Sequence, residues 1–215
     1  MMEKFLDKDV TLVCSDLSII DENGEKTANS ITEIRKRHEF KSGYNLANEL
    51  LMTNFVTGCA MMVKKDIAQK AIPFEQTLIH DQWIAIIAAI NGKIEFINKP
   101  LVRYRQHSFN QTGILAGIHD KQSYYNIRIN DIFNRYMSLK QRLNDNKELK
   151  QNINECLIWI SARKSYFLKP SIRDLKIMIK YRNFHKVSIL IESFLPLLHN
   201  NIFKYIIKLT KKGML

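Results

Sequence analysis

The hydrophobic pattern of the chain changes once, close to Gly113, and this change limits the folds that the sequence can adopt. Before it, short β-rich runs such as 10–14 alternate with helical stretches such as 81–90. After it, apolar residues recur only at helical spacing. Strands that alternate with helices are typical of an α/β layer. The sequence therefore predicts an α/β domain over 1–113, followed by an all-helical extension over 114–215.

The pattern also predicts individual elements within these two parts. In the first part, Gly58 interrupts one of the predicted strands, and the turn 21–24 follows another apolar run. In the second part, Lys169-Pro170-Ser171 marks a break and a new helix start. The remaining expected strands are 55–63, 93–97 and 101–104, and the remaining expected helices are 46–51, 153–166, 172–181 and 187–209.

The charge of the chain divides at the same place. Residues 1–113 carry 14 Lys and Arg against 14 Asp and Glu, whereas residues 114–215 carry 19 against 7, so the net charge of +12 lies in the second part. A basic segment of this kind is typical of one that meets an anionic surface, either acidic lipid or nucleic acid. No nucleic-acid recognition motif accompanies the charge, so nucleic acid is not an expected partner.

The last predicted helix is basic and amphipathic. Its lysines fall on one stripe at 100° per residue and its apolar residues fall on the other: Lys204, Lys208, Lys211 and Lys212 against Ile202, Phe203, Ile206, Ile207 and Leu209. Two interpretations stay open. The helix lies on an anionic membrane with its apolar side inserted, or it packs on the protein body with its lysines in water.

No segment of the sequence is expected to cross a membrane. The most apolar run, 187–198, contains Glu192 and Pro196 and is shorter than the ~20 residues that a spanning helix needs. The chain begins with charged residues rather than a secretory signal, and its three cysteines form no CxxC pair. We therefore expect a cytoplasmic protein that is peripheral on the inner face of the cell membrane.

Three polar segments are candidates for a binding site. The first contains Asp16 and the second begins at His80 and Asp81, while the third runs from Tyr104 through Arg105 to His107. All three are expected at strand ends or helix starts. In an open α/β sheet, ligands collect outside the carboxyl ends of the strands. The sequence thus predicts that these side chains surround one crevice.

Two of these segments each have a structural and a functional interpretation. Asp81 either caps the helix that follows it or acts as a general base, held ionised at the helix N-terminus. Arg105 and His107 are either a solvated strand end, or a pair that complements a leaving diphosphate and ligates the divalent ion bound to it. Each motif alone has modest specificity.

In combination, the segments resemble a known family. The order of Val10-Thr-Leu-Val-Cys-Ser-Asp, Asn54-Phe-Val-Thr-Gly, His80-Asp-Gln-Trp and Tyr104-Arg-Gln-His, followed by Asn110 and Gly113, is similar to that in family 2 glycosyltransferases. The likeness is strongest to bacterial rhamnosyltransferase-like members, which assemble surface polysaccharides such as capsule or O-antigen. It covers about Met1 to Gly113.

The resemblance implies a partial GT-A (Rossmann-like) sheet and transfer of a sugar, with inversion, from a nucleotide-sugar donor to a lipid-linked saccharide acceptor. It also implies a divalent cation, Mg or Mn. Asp81 is similar to the catalytic base of the family, and His107 to its metal- or diphosphate-contacting histidine. The remaining matches imply contacts to the donor or acceptor: Asp16 near the donor, Thr57 and Gly58 in the sugar pocket, and His80, Trp83, Arg105 and Asn110 on the acceptor or phosphates.

The family's Asp-x-Asp metal motif has no counterpart here, since Asp7-Lys-Asp9 fits a solvated turn before a strand. We therefore expect a truncated enzyme that is weakly active or inactive alone, unless a companion polypeptide or a homodimer completes it. The resemblance then implies that cation binding requires the segment upstream of Met1, which carries the Asp-x-Asp motif in the family. The alternative is a non-catalytic subunit that binds a glycan or a partner and complements another glycosyltransferase.

Overall fold

The computed structural model describes residues 1–35, 38–106, 117–181 and 192–211. Its contacts divide the chain into two compact units, Met1–Asn110 and Gln111–Leu215. Strands are found in the first unit, and the described part of the second unit is helical. The predicted α/β class is therefore confirmed in its general form, as a mixed α/β protein with a four-stranded sheet.

The sheet of the first unit is built around one long strand. β1 (Val10–Ile20) is buried along its whole length and pairs in parallel with β4 (Lys93–Arg105). Two short strands share its other edge, both antiparallel: β3 (Met61–Val63) pairs with the first half of β1, and β2 (Lys26–Ala28) with its end. Neither of these antiparallel pairings was predicted from the sequence.

Two predicted strand boundaries were also wrong. The predicted strand 55–63 is a strand only at β3, because a 3-10 turn, Gly58–Ala60, occupies its middle. The predicted strands 93–97 and 101–104 form one strand, β4, with register shifts opposite Asp16. Pro100 pairs with Asp16 at this point, and a proline has no N–H to donate to the ladder.

Four helices complete the first unit: α1 (Ile31–Ile34), α2 (Ala47–Met52), α3 (Lys65–Lys70) and α4 (His80–Asn91). The predicted helix 81–90 is thus confirmed. At the end of α4, a Cβ on Gly92 would lie 2.5 Å from the backbone oxygen of Asp9. Because α4 ends beside the start of β1 and then turns into β4, its N-terminus lies toward the carboxyl ends of the parallel pair.

The second unit contains helices of very different length. A helical run begins with α5 (Lys121–Tyr124), passes through a π-helical turn (Tyr125–Asn130) and continues as α6 (Asp131–Arg142). It is followed by α7 (Lys147–Leu168), α8 (Ile172–Lys180), a 3-10 turn (Leu195–Leu197) and α9 (Asn200–Lys211). The Ser171 hydroxyl caps α8, as the predicted break requires. The predicted helix 187–209 is wrong as one element, since the turn containing Pro196 interrupts it.

The core of the second unit takes up part of the apolar side of α9. Phe203 and Ile207 are buried in a cluster with Ile118 and Leu195. Lys204 and Lys208 are exposed. Of the two interpretations left open by the sequence, packing on the protein body therefore applies to Phe203 and Ile207. The side chains of Lys211 and Lys212 lie outside the part of the chain that the structure describes.

In the ranges that the structure describes, every helix is too short or too polar to cross a lipid bilayer.

Candidate functional site

The candidate site lies at the N-terminus of α4, where the carboxylate of Asp81 meets three donors. Oδ1 accepts hydrogen bonds from Asn54 Nδ2 at 3.0 Å and from the backbone N–H of Gln82 at 2.7 Å. Oδ2 accepts one from the backbone N–H of Gly58 at 3.0 Å. A carboxylate has about four acceptor positions, so these donors leave room for one more. The carboxylate is therefore held in one orientation, and it can still accept one more hydrogen bond.

Asn54 joins the carboxylate to the chain segment that passes in front of it. Its Oδ1 accepts from the N–H of Val56 at 3.0 Å, while its Nδ2 donates to Asp81. The two bonds use both ends of one amide and fix its orientation. Asn54 was part of the family-like segment, but no sequence signal assigned it a role.

Gly58 packs closely against the start of α4. A Cβ at this position would lie 2.8 Å from Nε2 of His80 and 3.5 Å from the Cβ of Asp81. Thr57 precedes the 3-10 turn and its backbone oxygen accepts from Ala60 at 2.9 Å. The structure thus brings Gly58, His80 and Asp81 together, whereas Asp16 and Arg105, which were expected at the same crevice, contact backbone groups elsewhere.

Cys59 reports on the electrostatics of this cluster. Its side chain is exposed at the surface. Partial loss of hydration and the negative charge of Asp81 both raise the pKa of its thiol. Cys14 and Cys156 are buried. Burial raises the pKa of both to about 12, so they behave as apolar core residues.

Asp16 lies inside β1 and is buried. Its Oδ1 accepts from the N–H of Leu17 at 2.7 Å and, at 3.4 Å, from the N–H of Ile31 at the start of α1. This carboxylate therefore holds backbone groups together, and its placement favours a structural role over contact with a donor sugar.

His38 lies near Asp16 and was not singled out from the sequence. Burial and the charge of Arg35 lower the pKa of its imidazole, while the charge of Asp16 and a hydrogen bond to the Phe55 backbone act in the opposite direction. Its Nε2 is buried and has no hydrogen-bond partner among the described residues. The ring packs edge-on against Phe40, with centroids 4.5 Å apart. The segment that carries Asn54 and Gly58 thus also supplies, at Phe55, a backbone partner for His38.

Trp83 and Arg105 are both engaged in the protein's own structure. Trp83 is buried in α4, and its Nε1 donates to the backbone oxygen of Ala71 at 2.8 Å. Arg105 Nη1 donates to the backbone oxygens of Asp21 at 3.0 Å and Glu22 at 2.7 Å, so it holds the turn after β1. These contacts favour structural roles for both residues. His107 and Asn110 lie outside the described residues.

The expected divalent cation stays a prediction, because His107 lies outside the described residues. Over 1–35, 38–106, 117–181 and 192–211, no three His, Cys, Asp or Glu side chains come together as a set of ligands. The oxygens of Asp81 face N–H donors instead. No step of the chemistry is therefore assigned to a cation.

No protein-family model matches the chain, and comparison with curated proteins and with solved structures finds no match either.

Proposed function

We propose that the chain is a glycosyltransferase-like protein of the GT-A type, family 2, which acts in the assembly of a bacterial surface polysaccharide. One observation carries the proposal: the Asp81 carboxylate is held at the start of a helix by Asn54, Gly58 and Gln82. A base that is fixed in this way, with one acceptor position to spare, suits abstraction of a proton from a sugar hydroxyl.

The reaction proposed for this site is a single displacement. The acceptor hydroxyl donates its proton to Asp81 while its oxygen bonds to the anomeric carbon of the donor sugar. The bond from that carbon to the diphosphate breaks, and the nucleoside diphosphate leaves with the electron pair. Attack from the opposite face inverts the configuration. The donor is a nucleotide-sugar and the acceptor is a lipid-linked saccharide.

The position of Asp81 supports this role in two further ways. The helix dipole places partial positive charge at the start of α4, which favours an anionic side chain there. Because Gly58 has no side chain, its backbone N–H can lie close to both His80 and Asp81. Asn54 acts as a positioning residue, because it contacts the base rather than the substrate.

Sugar transfer with the variant Asp81→Asn tests the proposal. The full chain is assayed with UDP-, GDP- and dTDP-sugars, both alone and mixed with candidate companion glycosyltransferase polypeptides. Loss of a general base lowers the rate about 10²- to 10⁴-fold, so turnover that appears in the mixture should fall by this factor in Asp81→Asn. Asp66→Asn is the matched control, since Asp66 is an exposed acid in the first turn of α3. Equal turnover by Asp81→Asn and the unmodified chain would refute the proposal.

A non-catalytic subunit that binds a glycan or a partner is the second candidate. It is favoured by the contacts of Asp16 and Arg105, because both side chains hold backbone groups. Under this candidate, Asp81→Asn leaves turnover of a companion enzyme unchanged, while the chain still raises that turnover when it is added. Calorimetric titration with the acceptor saccharide would then give the same affinity for both forms.

A further inference from the structure

The second unit presents apolar side chains to solvent at its C-terminal end. The turn Leu195–Leu197 and α9 share one core cluster, into which Leu195, Phe203 and Ile207 point. Their outward side chains are between 51% and 65% exposed: Phe194, Leu197, Ile202 and Tyr205. We call these four residues the outer apolar surface. Exposed apolar residues on two segments that share one core cluster are typical of an interaction site.

Two lysines accompany the apolar residues along α9. Ile202 and Tyr205 are three residues apart and so share one side of the helix. Lys204 and Lys208 are four residues apart, exposed, and lie between that side and the buried face of Phe203. The outward part of α9 is therefore half apolar and half cationic.

Hydrogen bonds hold the turn that carries half of this surface. The Nζ of Lys121 donates to the backbone oxygen of Pro196 at 2.9 Å and also to that of Leu198. The hydroxyl of Tyr166 donates to the backbone oxygen of Ser193 at 3.0 Å. The outer apolar surface is thus presented by an ordered backbone, which reduces the entropy lost on binding.

We infer that the outer apolar surface binds an anionic phospholipid bilayer. Charge complementarity selects this occupant, because residues 114–215 carry 19 Lys and Arg against 7 Asp and Glu. Isoleucine, leucine and phenylalanine side chains insert among the acyl chains, the tyrosine lies at the headgroup level, and the lysines bind phosphates. Of the apolar residues in the helical projection, Ile202 belongs to this surface, whereas Phe203 and Ile207 are buried in the core. The inference goes beyond the proposed sugar transfer and does not depend on it.

Sedimentation with lipid vesicles tests the inference on the full chain. We expect binding to vesicles that contain one-third phosphatidylglycerol, weaker binding at high salt, and little binding to pure phosphatidylcholine. Two double variants remove the two components separately: Ile202→Gln with Tyr205→Gln, and Lys204→Gln with Lys208→Gln. Each should lower the partition coefficient on the order of tenfold or more. All four residues are exposed, so circular dichroism should show an unchanged fold.

Two matched controls separate this surface from a general effect of charge or hydrophobicity. Lys147→Gln with Lys150→Gln removes two exposed lysines from α7 of the same unit. Met2→Gln with Leu6→Gln removes two exposed apolar side chains from the first unit. Both controls should retain most of the vesicle binding.

Three results would overturn the inference. The first is an equal loss of binding in the control and surface variants, because net charge alone would then explain it. The second is equal binding to phosphatidylcholine and to anionic vesicles. The third is a change in oligomeric state on analytical ultracentrifugation with no change in vesicle binding, since the surface would then contact a second copy. None of these results alters the expected effect of Asp81→Asn on transfer, so failures of the two proposals are distinguishable.

Discussion

The buried ion pair between Arg163 and Glu192 offers a quantitative test of the second unit. Its side chains are 4% and 2% exposed. Glu192 Oε2 accepts from Arg163 Nε at 2.6 Å, and Oε1 accepts from Arg163 Nη2 and, at 2.8 Å, from the Tyr124 hydroxyl. The carboxylate therefore satisfies two different side chains at once. We expect Glu192→Gln to be among the most destabilising isosteric changes in this unit.

The magnitude follows from what Glu192→Gln leaves behind. The amide keeps one acceptor oxygen but places an NH₂ group against a donor, and the guanidinium of Arg163 loses its counter-charge in a buried position. Breaking a buried pair from one side costs about 3–5 kcal/mol of unfolding free energy. With a urea m-value of about 2–3 kcal/mol/M, the midpoint should fall by about 1–2.5 M.

Urea denaturation followed by tryptophan fluorescence measures this change. Trp159 lies in α7, with the Arg163 guanidinium 4.5 Å from the centre of its ring, so a Trp83→Phe background leaves one fluorophore in the affected unit. Glu155→Gln is the matched control. Its carboxylate accepts one hydrogen bond, at 3.3 Å from Gln151 on the helix surface, and the change should cost under about 0.5 kcal/mol.

Together with the single variants Arg163→Met and Glu192→Leu, the double variant Arg163→Met with Glu192→Leu forms a double-mutant cycle. Because it removes both charges together, it should cost less than either single change. A loss below about 1 kcal/mol for Glu192→Gln, or a double variant that costs the sum of both single changes, would refute the expected buried charge pairing.

Three further predictions concern the first unit. In Gly58→Ala the new Cβ displaces the exposed His80 ring, while the contacts of Asp81 persist. The unfolding free energy should therefore fall by about 1 kcal/mol, and a crystal structure should show a rotated imidazole. An imidazole in its original position would contradict this prediction. Iodoacetamide at neutral pH should label Cys59 first, since burial raises the pKa of both other thiols to about 12. Asp81→Asn should speed this labelling, because it removes a negative charge that raises the pKa of Cys59. Mass spectrometry measures both rates, and an unchanged rate in the variant would contradict the effect of Asp81 on the Cys59 pKa. Hydrogen bonds from two lysines hold the pKa of Glu95 below its usual value, so its contribution to stability is present above pH 4.5 and is lost as the pH falls through its pKa in the folded state. Glu95→Gln should therefore lower the melting temperature at pH 7, and the difference from the unmodified chain should disappear in acid. Thermal denaturation at several pH values checks the sign.

Much of the fold followed from local patterns. The apolar run of β1 and the helix at 81–90 were predicted because burial and periodicity mark them in any context. The pairing of β2 and β3 was not predicted, because both strands are three residues long and so short a run does not indicate which neighbour it pairs with. Likewise, the 3-10 turn at Gly58 replaced part of a predicted strand, because its backbone turns to meet Asp81.

The candidate site shows the same division. Asp81, His80 and Gly58 were predicted from their segments, and the structure places them in contact. His38 gave no sequence signal, because a lone histidine among charged residues is ordinarily solvated.

The amino-acid sequence alone determined the order of an α/β part and a basic helical part, since hydrophobic period and charge are properties of neighbouring residues. Only the tertiary structure decided that Asn54 orients Asp81, that Asp16 and Arg105 hold backbone groups, and which side of α9 faces water. These contacts join residues that are distant along the chain. Their partners are selected by packing and by the need to satisfy buried polar groups, which no local pattern encodes.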